Sequence, residues 1–168
     1  SDLYKGNYLE NIYEFLFVGP RPAADLILGF ISFYFLMLAF GVNPWLSIVG
    51  ALAFGLCSYN FQIIQVGHNA KMTAIAFMPA VLAALVYAFR KNRWLGAVLF
   101  GIMLSFEIMA NHPQITFYLA FITIFYGAAQ LCTAIKQKTL PGFLKTAMLL
   151  IVAAGLAGAT NVNHLWPT

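Results

Sequence analysis

The chain has 168 residues, 62% of them hydrophobic, 16% aromatic and only 8% charged, with a mean hydropathy of +0.83 and a formal net charge of +4. An average soluble domain carries roughly 25% charged residues, so a water-soluble domain is excluded, and so is a disordered chain, which would be rich in charge and poor in aromatics. Two cysteines and the lack of a glycine period exclude disulfide-scaffold and collagen-like classes, which leaves an integral membrane protein.

Residues 1–22 read SDLYKGNYLENIYEFLFVGPRP, with Tyr4, Tyr8, Ile12 and Leu16 at helical spacing and Asn7 and Glu10 placed as a capping pair. They predict an interfacial amphipathic helix on the outer face, ended by Gly19, Pro20 and Pro22, which serves as an anchor or roofs a substrate groove. Beyond them, no Asp, Glu, Lys or Arg occurs in 26–70, 72–89, 108–135 or 146–168. A spanning helix needs about 20 apolar residues. The first stretch is long enough for two, divided by the turn Gly41-Val42-Asn43-Pro44. Residues 23–168 are therefore expected to form an all-α, polytopic transmembrane bundle of about six helices. Their expected extents are Ala24 to Phe40, Trp45 to Val66, Asn69 to Phe89, Trp94 to Ala110, Pro113 to Ile135 and Phe143 to Thr160.

Positive residues in short loops stay on the cytoplasmic side. Arg90, Lys91 and Arg93 follow the third helix and Lys136, Lys138 and Lys145 follow the fifth, so turns 41–44, 90–93 and 136–145 are expected in the cytoplasm. Residues 1–22, 67–71, 110–113 and 161–168 then face outward, and with them go all three histidines, His68, His112 and His164, together with Lys71, Glu107, Arg21, Asp25, Asn69, Asn111, Asn161 and Asn163. The positive balance is a topology signal and no basic, polar patch for nucleic acid exists.

Small residues at Gly50, Gly55, Gly96, Gly101 and the run 153–159 suit close helix approach, and Pro79 should kink the third helix. Cys57 and Cys132 fall at different depths and read as packing residues. The lack of an initiator Met, and an end at Trp166-Pro167-Thr168, read as a piece of a longer chain.

Two constellations carry chemistry. Gly67-His68-Asn69-Ala70-Lys71 opens the third helix, and His68 and Lys71, three apart beside free N–H groups and the positive dipole end, suit an anion such as phosphate. The plainer reading has Lys71 snorkelling to lipid and His68 as a turn residue. Glu107 through Asn111, His112, Pro113 and Gln114 forms the second. Pro113 suits a first helical turn capped by His112 or Asn111, while Glu107, about one turn below the interface, must face a cavity or pair with Lys71 or His112. No metal motif occurs at ligand spacing. No cofactor is implied, with a divalent metal left open.

These residues carry a resemblance. Gly67-His68-Asn69-Ala70-Lys71 with Ala74 to Pro79, Glu107, and Asn111-His112-Pro113-Gln114-Ile115-Thr116-Phe117-Tyr118 resemble the YfhO-type bacterial membrane proteins, as do Phe33-Tyr34, Gly41 to Trp45, Gly50 to Phe54 and Leu165-Trp166. The resemblance implies part of a GT-C glycosyltransferase that moves a sugar from a polyprenyl-phosphate carrier to a cell-envelope acceptor outside the cytoplasmic membrane. It implies further that His68, Asn69 and Lys71 meet the phosphate, that Asn111 and His112 meet sugar or phosphate, and that Glu107 orients Lys71 or His112. The acidic catalytic residue of such enzymes belongs to an outer loop before this segment, so the segment alone is expected to be inactive. The alternative is a non-catalytic transmembrane subunit packed against other membrane subunits. The enzyme reading expects an open outer groove lined by His68, Lys71, Glu107 and His112, whereas the subunit reading expects those side chains paired and closed.

Overall fold

A computed structural model describes residues 23–162, and these form seven helical segments joined by short turns with no strand among them. In chain order they are α1 (Ala23–Ala39), α2 (Pro44–Gly55), α3 (Ser58–Val66), α4 (Asn69–Arg90), α5 (Arg93–Met109), α6 (Pro113–Lys136) and α7 (Leu140–Thr160). The fold is the all-α bundle expected. The interfacial helix expected in 1–22, and His164, lie outside the described residues.

Local chemistry sets the starts. Asn43 Oδ1 accepts from Trp45 N at 2.9 Å, and Asn92 Oδ1 accepts from Trp94 N at 3.0 Å and Leu95 N at 3.1 Å. Such caps satisfy amide donors that a helix start leaves free. Pro44, Pro113 and Pro141 occupy first-turn positions, where a missing N–H does no harm.

Four stretches are long and apolar enough to cross a membrane: Pro44–Val66, Asn69–Arg90, Pro113–Lys136 and Leu140–Thr160. The chain is a membrane protein. The other two expected spans are α1, described from Ala23, and α5, of 17 residues each. At 1.5 Å per residue that is about 25 Å, the lower end of the range for a spanning helix.

One correction concerns the second helix, expected unbroken from Trp45 to Val66. It breaks at Leu56 and Cys57, and Cys57 is the N-cap of α3 instead of a mid-helix packing residue. Buried Asn60 stabilises the break by donating Nδ2 to Phe54 O at 2.9 Å and to Gly55 O at 3.2 Å. Unsatisfied carbonyls at membrane depth are costly. Asn60→Ala is expected to lower stability by about 1–3 kcal/mol, read as a fall in the unfolding midpoint in detergent. An unchanged midpoint would show that water or lipid headgroups already serve those carbonyls.

The core is built on α4, of whose apolar window 72% is buried against 11% for α6. α1 and α5 flank α4, α2 packs on α1, and α7 packs on α5. Pro79 lies buried inside α4 without ending it. Phe77 stacks on Phe106 at 5.6 Å, Phe33 on Phe54 at 4.6 Å, and Val81, Leu85, Ala97, Phe100 and Leu150 form the central apolar cluster. Of the small residues, Gly96 meets the backbone of Ala88, Gly55 the ring of Phe30, Gly50 the side chain of Met37, and Gly101 meets Ala153, while Gly155 and Gly158 face open space. Outward-facing apolar side chains such as Ile151, Val152 and Leu156 on α7 suit contact with lipid.

The turns alternate between two ends. At the cationic end Arg90 Nη1 donates to Phe40 O at 2.7 Å, and Phe89 stacks on Phe143 at 5.6 Å, so the turns after α1, α4 and α6 lie together. At the histidine end Met72, Ala110 and Ile115 share one buried cluster with Ile63, joining the turns before α4 and α6.

Candidate functional site

At the histidine end two turns repeat one design. Gly67 takes a left-handed conformation (φ +79°), His68 caps α4, and the helix starts at Asn69; Asn111 takes a left-handed conformation (φ +54°), His112 caps α6, and the helix starts at Pro113. Glycine adopts this conformation freely and asparagine is among the few other residues that tolerate it. The N–H of Asn111 meets Ile108 O at 2.9 Å, which closes α5. Neither histidine makes a side-chain capping bond.

The turn at 111–113 opens into a cleft of about 290 Å³, lined by Asn111, His112, Pro113, Thr116, Phe117 and Ile108 among others. Nδ1 of His112 is buried and has no hydrogen-bond partner among the described residues. A buried polar atom in that state loses its bond to water without replacement.

Glu107 is wholly buried, and both carboxylate oxygens accept from Thr116 Oγ1 at 3.1 Å. This corrects the expected pairing of Glu107 with Lys71 or His112. Thr116, one turn into α6, directs its hydroxyl back towards the end of α5 and so reaches Glu107 first. Lys71 is half-buried, and its ammonium lies 5.2 Å from the ring centre of Tyr59 on α3, a cation–π contact that holds the charge against the protein. His68 and Asn69 are exposed at the start of α4.

The structure therefore brings Asn111, His112, Thr116 and Glu107 together. His68, Asn69 and Lys71 sit at the same end on the neighbouring turn, outside the lining of that cleft. Thr116 and Tyr59 are the partners that sequence reading missed. The one sequence signal for Thr116 is its place four residues after His112, on the face of α6 that looks back at the turn. Two other polar residues at this end have structural work. Asp25 accepts from Thr73 Oγ1 at 2.9 Å, tying α1 to α4, and Asn161 donates to Ser105 Oγ at 2.8 Å and to Ala157 O at 2.9 Å, tying α7 to α5. Among the described residues no three of His, Cys, Asp and Glu come together to hold a metal ion.

Comparison with family models, with curated proteins and with solved structures finds no match to this chain.

Proposed function

We propose that this chain is part of a bacterial membrane glycosyltransferase, with the histidine end on the extracytoplasmic face, receiving a sugar carried on a polyprenyl phosphate. The observation that carries this reading is the cleft at the start of α6, lined by Asn111 and His112, with the buried Nδ1 of His112 left without a hydrogen-bond partner among the described residues. The N-terminus of α6 adds a positive dipole end to the same place. The donor phosphate leaves as the acceptor hydroxyl attacks the anomeric carbon, and cationic or N–H groups fixed beside it stabilise the developing charge. His112 and Asn111 contact sugar or phosphate from the cleft wall, and Glu107, through Thr116, fixes the wall. Lys71 on the adjacent turn extends the positive field over the site, with His68 and Asn69 beside it as polar groups.

A second reading, a non-catalytic subunit, is favoured by a different observation: Lys71 and Glu107 are already engaged by Tyr59 and Thr116, and α6 leaves most of its surface open to other membrane helices. One experiment separates the two. Binding of a short-chain polyprenyl-phosphate sugar is measured by native mass spectrometry on the protein in lipid nanodiscs, with wild type beside His112→Ala. The transferase reading expects saturable binding that His112→Ala weakens by roughly tenfold or more, the loss of one hydrogen bond to a charged group. Failure of the wild type to bind, or equal binding by both forms, overturns it in favour of the subunit.

A further inference from the structure

The cationic end holds a second cleft that the proposed activity leaves unused. It measures about 270 Å³ and lies between the α4–α5 turn and the α6–α7 turn, with Arg90, Lys91 and Arg93 on one side and Gln130, Gln137 and Thr139 on the other. Phe89 and Phe143, stacked at 5.6 Å, form an apolar wall.

Charge here is uncompensated among the described residues. Arg90, Lys91, Arg93, Lys136, Lys138 and Lys145 all belong to this end, while the carboxylates of the described residues, Asp25 and Glu107, are at the other end and bonded to Thr73 and Thr116. Arg93, the first residue of α5, stands at the positive end of that helix's dipole, where a cation is locally unfavourable, while Arg90 ends α4 and Lys91 is its C-cap. Thr139, the N-cap of α7, makes no side-chain capping bond, and its residue lines the cleft. Three cationic side chains, the start of α7 without a side-chain cap, and amide and hydroxyl groups thus converge on one cavity, a combination that an anion satisfies and a cation does not. Arg90 is held in place by Phe40 O at 2.7 Å and by the Phe40 ring at 5.6 Å, which fixes one wall before any ligand arrives.

We propose that this cleft seats the phosphate of an anionic phospholipid headgroup from the leaflet at the cationic end. The choice of a lipid over free phosphate rests on what borders the cavity. Ile135, Leu140 and Leu144 are exposed beside it on α6 and α7, and the helices they belong to are long and apolar enough to cross a membrane. A headgroup in the cleft therefore lays its acyl chains against apolar surface that is otherwise uncovered. Basic pockets between helix ends recognise phosphate headgroups in this way, and juxtamembrane cations add to the attraction.

The test uses the full chain in detergent, titrated with phosphatidylglycerol and, separately, with inorganic phosphate, each followed by native mass spectrometry and by the shift in unfolding midpoint. Three forms are compared: wild type, Lys91→Gln with Arg93→Gln, and Lys136→Gln with Lys145→Gln, which removes the same charge from the same end outside the cleft. Arg93→Gln alone is the reserve should the first pair not fold. The expected result is one lipid bound per chain, with affinity falling on the order of thirtyfold in the 91/93 pair, about fivefold for each cation, and less than threefold in the 136/145 pair. Equal losses in the two pairs would show a diffuse topology charge and overturn the site. Binding of inorganic phosphate alone, dependent on Lys91 and Arg93, would overturn the lipid assignment.

Discussion

Replacing Gly96 by valine is expected to force α5 away from α4 and to destabilise the bundle by about 3 kcal/mol or more, the upper part of the range for overpacking a filled core. A Cβ at this position would stand 2.5 Å from the backbone nitrogen of Ala88 and 2.6 Å from its Cβ, distances that real Cβ atoms do not show. The obstacle is backbone inside the central, buried helix, so no rotamer change relieves it. The comparison with other small residues makes the expectation specific. At Gly55 the nearest atoms belong to the ring of Phe30, which can turn, and at Gly155 nothing lies within contact range. Gly155→Ala should therefore leave the unfolding midpoint unchanged or raise it slightly, since alanine is favoured over glycine in a helix by about 1 kcal/mol. Folded yield by size exclusion and the unfolding midpoint in detergent measure both variants. A wild-type midpoint for Gly96→Val would mean that the two helices are further apart than described.

Glu107→Gln is expected to separate stability from function. The side chain is fully buried, and among the described residues its hydrogen-bond partner is Thr116 and no cation lies against it. Glutamine has the same shape, keeps an acceptor for the Thr116 hydroxyl and removes the desolvation penalty that an ionisable group pays in such a place. The unfolding midpoint should hold or rise by a few degrees. Binding of the polyprenyl-phosphate sugar should fall by roughly tenfold or more, because the two oxygens that accept from Thr116 are replaced by the single acceptor of an amide and the cleft wall is less firmly held. A purely structural carboxyl would give the same midpoint with unchanged binding. Glu107→Leu sharpens the contrast by also removing the acceptor. Its expected result is lost binding with a midpoint that drops only by the one unsatisfied hydroxyl, about 1–3 kcal/mol.

Much of the architecture was legible because a membrane chain writes its constraints in one dimension. Charge-free stretches, Pro and Asn at turns and clustered Lys and Arg located the helices and their alternation between ends, and the starts of α4 and α6 fall at Asn69 and Pro113 as read. The break between α2 and α3 was not legible, because the residues around it are as apolar as any helix interior and the group that stabilises it, Asn60, acts across the break.

The site divides the same way. By itself the sequence determined that Asn111, His112 and Glu107 share one end of the bundle with His68, Asn69 and Lys71, since helix spacing and charge-free length fix depth. Which of them touch was decided by tertiary structure alone. Glu107 meets Thr116 because α6 folds back beside α5, Lys71 meets Tyr59 because the break turns α3 towards α4, and the cations of the α4–α5 turn share one cleft with the α6–α7 turn because both turns lie at the same end. A linear pattern specifies how deep each residue lies in a helix. Its partner across helices depends on rotation and packing about α4, which close contacts such as Gly96 on Ala88 set in three dimensions.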